Sequence, residues 1–175
     1  LINEGEISTR LGLQGIPSLA EKIIVERDLA FLEEYFCRYH IAQISSKKTV
    51  EVIKKAKSEG KVFTSGVSIN NLSLNENDIG DFKTFLKLSP PLRTEEDRVT
   101  LIESINDGTI DVIVSDHKPE DEESKRLTFA KAATGASGVE TLLSLSLELF
   151  HNKSINLTKL IATMTSNPSK ILNIQ

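Results

Sequence analysis

Cysteine is almost absent from this 175-residue sequence: Cys37 stands alone, which excludes an intrachain disulfide and a cysteine-based zinc site. Long apolar runs are missing as well. No stretch approaches the roughly 18 residues of a membrane helix, and the first residues lack a signal-peptide layout. Nor is there a surplus of positive charge: 21 basic against 25 acidic residues leave −4, which argues against a partner held by phosphate electrostatics. These absences fit a reducing, cytoplasmic setting. The chain opens on Leu1 and its single methionine is Met164, so it is expected to be a piece of a longer polypeptide. What is present, 39% hydrophobic and 26% charged residues, suits one domain that needs no covalent staples.

The order of elements reads as alternating helices and strands. Residues 1–16 are polar, carry Gly5, Gly12 and Gly15, and predict a loop. Pro17 and Ser18 introduce a helix to about Phe36, with Leu19, Ile23, Ala30, Phe31 and Leu32 largely at helical spacing. Residues 38–45 predict a strand that stops at a serine pair. Ser46 is placed to cap a helix over 47–59 that closes at Gly60, with Val50, Ile53 and Ala56 on its buried face. A second strand is expected over 61–69, a polar loop over 70–81 and a short extended piece over 82–88, stopped by Pro90 and Pro91. Thr94 and Asp97 resemble a capping box for a helix through Ile105. Asp107-Gly108 then turns into an apolar strand over 109–114, followed by a charged loop over 118–125. Helices over about 137–150 and 157–164, and a last turn near 168–172, complete the chain. Such alternation predicts βα units around a parallel sheet, either a small doubly wound domain or part of a (β/α)8 barrel. A whole barrel needs about 250 residues, so this would be roughly half of one.

In α/β architectures reactive groups gather at the C-terminal ends of strands. The strongest candidate is Ser115-Asp116-His117-Lys118-Pro119, directly after the strand 109–114. Asp116 there can bind a divalent metal or take a proton from metal-bound water, and His117 can donate a hydrogen bond to substrate. The plainer alternative makes Asp116 a helix cap and His117 an ordinary loop residue. His40 and Gln43 lie an odd number of residues apart, so on a regular strand they face opposite sides. A lone strand histidine is more often a satisfied core residue, and glutamine is a poor zinc ligand. Arg93 is able to grip a substrate carboxylate bidentately, or to sit on the surface near a helix start. Asn70, Asn71, Asn75 and Asn77 suggest turn chemistry. No serine stands with His151 in a nucleophile–base arrangement, and Gly135-Ala136-Ser137-Gly138 matches no phosphate-loop spacing.

Several runs together resemble the C-terminal half of a type I dihydroorotase. They are Glu4-Gly5 leading to Gly15-Ile16-Pro17, Tyr39-His40 with Ile44-Ser45, and Ser89-Pro90-Pro91-Leu92-Arg93. Asp107-Gly108-Thr109-Ile110-Asp111-Val112-Ile113, Ser115-Asp116-His117-Lys118-Pro119, Gly138-Val139-Glu140-Thr141 and Met164-Thr165-Ser166-Asn167-Pro168 follow in the family's order. Hydantoinases and allantoinases share the barrel, but these runs fit them less well. The resemblance implies a (β/α)8-barrel amidohydrolase, with residues 1–175 the C-terminal portion of one barrel domain. It implies zinc-dependent interconversion of N-carbamoyl-L-aspartate and L-dihydroorotate in pyrimidine biosynthesis. Asp116 matches the aspartate that ends the eighth strand, which sits at the metal and shuttles a proton. Ser89, Gly135 and His117 match substrate-binding positions.

Five positions depart from the family pattern. Gln43 stands where the sixth strand ends in a metal-binding histidine, Ser89 where an asparagine binds substrate, and Glu120 where a histidine follows the Asp-His-x-Pro run. Asn70-Asn71 replaces a histidine pair. The remaining ligands, by the resemblance, are expected upstream of Leu1. Two readings follow: a working dihydroorotase of which this chain, inactive alone, is one part, or a dihydroorotase-like scaffold subunit that partners aspartate transcarbamoylase. A half-barrel leaves strand edges open, so association with the missing half or a second copy is expected.

Overall fold

The computed structural model describes residues 1–174 and holds two small parallel sheets wrapped by helices. In the first sheet, β1 (Ile2–Asn3) pairs with β2 (Gly15–Ile16), with α1 (Glu6–Leu11) between them. After α2 (Ser18–Glu34) comes the second sheet, in the order β3 (His40–Ile41), β4 (Thr64–Ser68), β5 (Val112–Val114), all parallel. Between β3 and β4 runs α3 (Lys47–Ser58). Between β4 and β5 come α4 (Ile69–Ser73), two 3-10 turns at Glu76–Ile79 and Thr84–Leu86, and α5 (Glu95–Asn106). The chain ends with α6 (Glu122–Lys125), α7 (Leu142–His151), α8 (Leu157–Met164) and α9 (Ser166–Leu172). This is the βα alternation expected for part of a (β/α)8 barrel.

Local chemistry accounts for the helices that matter most. Ser46 Oγ accepts from the Thr49 N–H at the start of α3, whose Val50, Ile53 and Ala56 are buried and whose last turn carries Lys55 and Lys57. At α5 the capping box is complete: Thr94 accepts from the Asp97 N–H, and Asp97 accepts from the Thr94 N–H. These two helices lie against the sheet, and Ile44, Ile53, Val67, Ile69, Leu101 and Ile105 form the centre of the main core. A second cluster joins Ile2 and Ile7 to Ile79, Leu88, Leu92 and Phe129. No described helix is long and apolar enough to cross a membrane.

The structure revises several expectations. The opening 16 residues are ordered as β1, α1 and β2, because Ile2 and Ile7 are buried and the Ile2 and Glu4 N–H groups bond Gln14 and Ile16 carbonyls. The strand expected over 38–45 shrinks to His40–Ile41. Beyond it the Ser45 and Ser46 N–H groups donate to the Glu21 carboxylate, at 3.0 and 3.2 Å, instead of to a neighbouring strand. The polar loop over 70–81 contains α4, with Asn70 and Asn71 buried, and the extended piece over 82–88 is a 3-10 turn. Asp121 caps the short α6 inside the charged loop. The helix expected from 137 begins only at Leu142, since the Gly138 and Val139 N–H groups point at His117.

Candidate active site at the strand ends

The ends of β3 and β5 bring two polar side chains together, and a third follows the end of β4. In register, Ile41 pairs with Ser65 and Ser68 with Val114. Gln43, Asn70 and Asp116 therefore each lie two residues beyond the last paired position of their strands. Gln43 Nε2 donates to Asp116 Oδ1 at 2.7 Å, so the strand-end aspartate already has a side-chain partner. Asp116 adopts a left-handed backbone, φ +49°, a conformation that aspartate tolerates better than most residues. Its carboxylate does not cap α6; Asp121 does, accepting from the Ser124 N–H at 2.8 Å. Asn70 is buried and its Nδ2 has no hydrogen-bond partner, while Asn71 Nδ2 donates to the Pro91 carbonyl at 3.0 Å.

His117 is held from the far side. Its Nδ1 accepts from the Gly138 and Val139 N–H groups, at 3.2 and 3.3 Å. In the neutral ring the proton is then on Nε2, which makes the exposed edge of His117 a hydrogen-bond donor. The loop that does this must come very close. A Cβ on Gly138 would lie 2.1 Å from the Ser115 carbonyl oxygen, and one on Gly135 2.4 Å from that of Lys118. Only glycine fits either position. Lys118 N–H bonds the Ala136 carbonyl at 2.9 Å, and the Gly135 N–H donates to the Lys87 carbonyl at 3.0 Å. Ser89 is exposed at the double-proline turn, and Glu120 is half-buried, 4.0 Å from Lys118 Nζ.

His40 stays apart from this group. Its Nδ1 lies 2.7 Å from Thr64 Oγ1, and burial holds its pKa below the usual histidine value against the opposing charge of Asp111. Arg93 proves to be neither a substrate clamp nor a surface residue. It is buried, with Nε donating to Ser45 Oγ at 3.1 Å and Nη1 to Asn3 Oδ1 and the Ile16 carbonyl at 2.8 and 2.6 Å. Glu21 is 4.0 Å away, and Asn3 passes the network on to Glu76 at 2.7 Å. Burial pulls the Arg93 pKa down while Glu21, Asp97 and Glu76 hold it up; the guanidinium stays charged throughout. This node ties β1 and β2 to the end of β3. Nothing in the local sequence signalled it.

No protein-family model matches the chain. Curated relatives do. The dihydroorotase of Ehrlichia chaffeensis (strain ATCC CRL-10679 / Arkansas) is 44% identical over 174 residues, 99% of this chain and 39% of that protein. That of Syntrophus aciditrophicus (strain SB) is also 44% identical over 174 residues, 41% of its length. Over nearly its whole length the chain is similar to part of a dihydroorotase. It spans about two fifths of the relatives it matches. Among solved structures, the L-hydantoinase (dihydropyrimidinase) of Arthrobacter aurescens superposes with a TM-score of 0.81 at 31% identity, over 90% of this chain and 36% of that one. The dihydropyrimidinase of Brevibacillus agri NCHU1002 gives 0.84 at 21%, again over 90% of this chain and 36% of that one, a likeness of fold. The fold is thus that of part of an amidohydrolase (β/α)8 barrel.

The likeness to dihydroorotases implies zinc. A catalytic zinc takes three protein ligands from histidine, carboxylate or thiolate. Among the described residues no three His, Cys, Asp or Glu side chains gather closely enough to hold a metal ion. Asp116 is accompanied by the Gln43 amide rather than by imidazoles. The donors of this chain do not by themselves fit the metal. A cavity of about 800 Å³, lined by Tyr35, Phe36, Tyr39, Val62, Phe63 and Leu172 among others, opens where β3 and β4 begin. It lies at the opposite end of the strands from Asp116.

Proposed function

We propose that the polypeptide to which this chain belongs is a dihydroorotase-type cyclic amidohydrolase. It would interconvert L-dihydroorotate and N-carbamoyl-L-aspartate in pyrimidine biosynthesis, in the cytoplasm. The observation that carries this reading is the 44% identity to named dihydroorotases across 174 residues. Residues 1–175 would form one continuous portion of its barrel domain, inactive without the rest. The exposed aromatic and aliphatic side chains of Tyr35, Phe36 and Val62 support a covering partner, either the remaining barrel or a second copy.

Ring opening adds water across the amide C–N bond, so one proton must pass from the attacking oxygen to the leaving nitrogen. Asp116, oriented by Gln43, is the carboxylate placed to carry it. His117 Nε2–H and the Ser89 hydroxyl are suited to donate to substrate oxygens, and the Gly135 carbonyl to accept from a substrate N–H.

A second reading, a non-catalytic subunit that partners aspartate transcarbamoylase, is favoured by one observation: Gln43 bonded to Asp116. The test is dihydroorotate hydrolysis and carbamoyl-aspartate cyclisation by the full-length polypeptide, beside Asp116→Ala. Turnover that the variant abolishes supports the enzyme. Absence of turnover in the folded wild type, with a stable complex with the transcarbamoylase, supports the scaffold instead.

A further inference from the structure

We infer that Gln43 takes the place of a metal ion at Asp116: a neutral side-chain amide is the resident partner of this carboxylate, and Asp116 recruits no zinc. The inference stands whether or not the polypeptide is a dihydroorotase.

Three observations combine. First, Gln43 Nε2 donates to Asp116 Oδ1 at 2.7 Å, the separation of a well-formed hydrogen bond. A cation on that oxygen would have to face the amide hydrogens, and an N–H donor is repelled by positive charge. Turning the amide so that its oxygen faced the cation would break the bond to Asp116 and offer a weak, neutral ligand. Second, the neighbouring strand end supplies amides too. Asn70 and Asn71 follow β4 in the first turn of α4; the Asn71 amide is given to the Pro91 carbonyl, and the Asn70 Nδ2 is buried without a hydrogen-bond partner. Third, no described group of three ionisable ligands surrounds Asp116. His117 is the nearest imidazole in sequence, but its Nδ1 lone pair is taken by the Gly138 and Val139 N–H groups. Among the described residues, the side-chain partner of Asp116 is thus an amide donor and not a metal-ligating group.

The chemical meaning is a change of partner. A carboxylate bonded to a divalent ion shares that ion's charge, whereas one bonded to an amide keeps its full negative charge and its second oxygen. Asp116 Oδ2 remains free to accept from a substrate N–H or a water. Any zinc held by residues elsewhere in the polypeptide would be held without Asp116.

The test uses the full-length polypeptide, stripped with chelator and titrated with zinc, in wild type, Asp116→Asn and Gln43→His. Asp116→Asn is nearly isosteric and asparagine accepts the left-handed backbone, so the variant is expected to fold; circular dichroism checks this. Zinc content and affinity are expected to be the same in wild type and Asp116→Asn. Gln43→His is expected to tighten zinc binding by at least about tenfold, and adding Asp116→Asn to it to cancel that gain. A wild type that binds zinc at least about tenfold more tightly than Asp116→Asn would overturn the inference. Should Asp116→Asn misfold, the Gln43 side-chain amide resonances of the wild type decide. They are expected to stay in place as zinc is added, and a shift at stoichiometric zinc would contradict the inference.

Discussion

Arg93→Ala removes the guanidinium that joins the first sixteen residues to the barrel wall. Four contacts go with it: Ser45 Oγ at 3.1 Å, Asn3 Oδ1 at 2.8 Å, the Ile16 carbonyl at 2.6 Å and Glu21 at 4.0 Å. The groups left behind are not in water. Asn3 and Ser45 are 5% and 0% exposed, so their oxygens lose a partner and gain no solvent. Breaking a buried charged network from one side typically costs about 3–5 kcal/mol, a large share of the roughly 5–15 kcal/mol that keeps a domain folded. Arg93→Lys keeps the charge but replaces the planar fork by a single point, so it is expected to recover only part of the loss. Urea unfolding followed by circular dichroism measures both variants. The side chain's position also separates two roles, since a substrate clamp on the surface would change KM and leave stability alone. An Arg93→Ala protein within about 0.5 kcal/mol of wild type, the range of surface substitutions, would refute the buried-node reasoning.

Other perturbations probe the loop, the core and the pH response. Gly138→Ala puts a methyl 2.1 Å from the Ser115 carbonyl and is expected to cost about 1–3 kcal/mol by displacing the loop behind His117. Unchanged thermal unfolding would show that the loop yields freely. Ile53, fully buried between α3 and the sheet, is expected to cost about 2–5 kcal/mol on truncation to alanine, read from the urea midpoint. His40 has its pKa lowered by burial, so the unfolded chain protonates first as pH falls. Its contribution is therefore complete above the ordinary histidine pKa and is lost as pH drops through the lowered one. Unfolding measured from pH 8 downward is expected to show a shallower acid loss in His40→Asn than in wild type, and identical slopes would contradict the assignment.

Local signals carried much of the fold. Ser46 at α3 and the Thr94–Asp97 pair at α5 are read from a few neighbouring residues and form as read. The spacing of Val50, Ile53 and Ala56 gave the buried face because a helix repeats within one turn. What escaped depends on distant partners. Arg93 beside a helix start looks like any surface arginine until Ile16 and Asn3, 77 and 90 residues away, close around it. The short β1 and β2 exist through that node and the Ile2 cluster, with too few residues to show a period. At the site, the strand-end rule pointed to both Gln43 and Asp116, yet only the parallel register, 73 residues apart in sequence, makes them partners. The family pattern marked Gln43 as a lost ligand; the structure gives it a task.

The most direct measurement is a crystal structure of the full-length polypeptide grown with excess zinc, with anomalous data collected at the zinc edge. Gln43 Nε2 is expected within hydrogen-bond distance of Asp116 Oδ1, and any zinc peak away from both. A zinc peak bonded to Asp116, with the Gln43 amide swung aside, would contradict the amide-for-metal exchange on which this reading of the site rests.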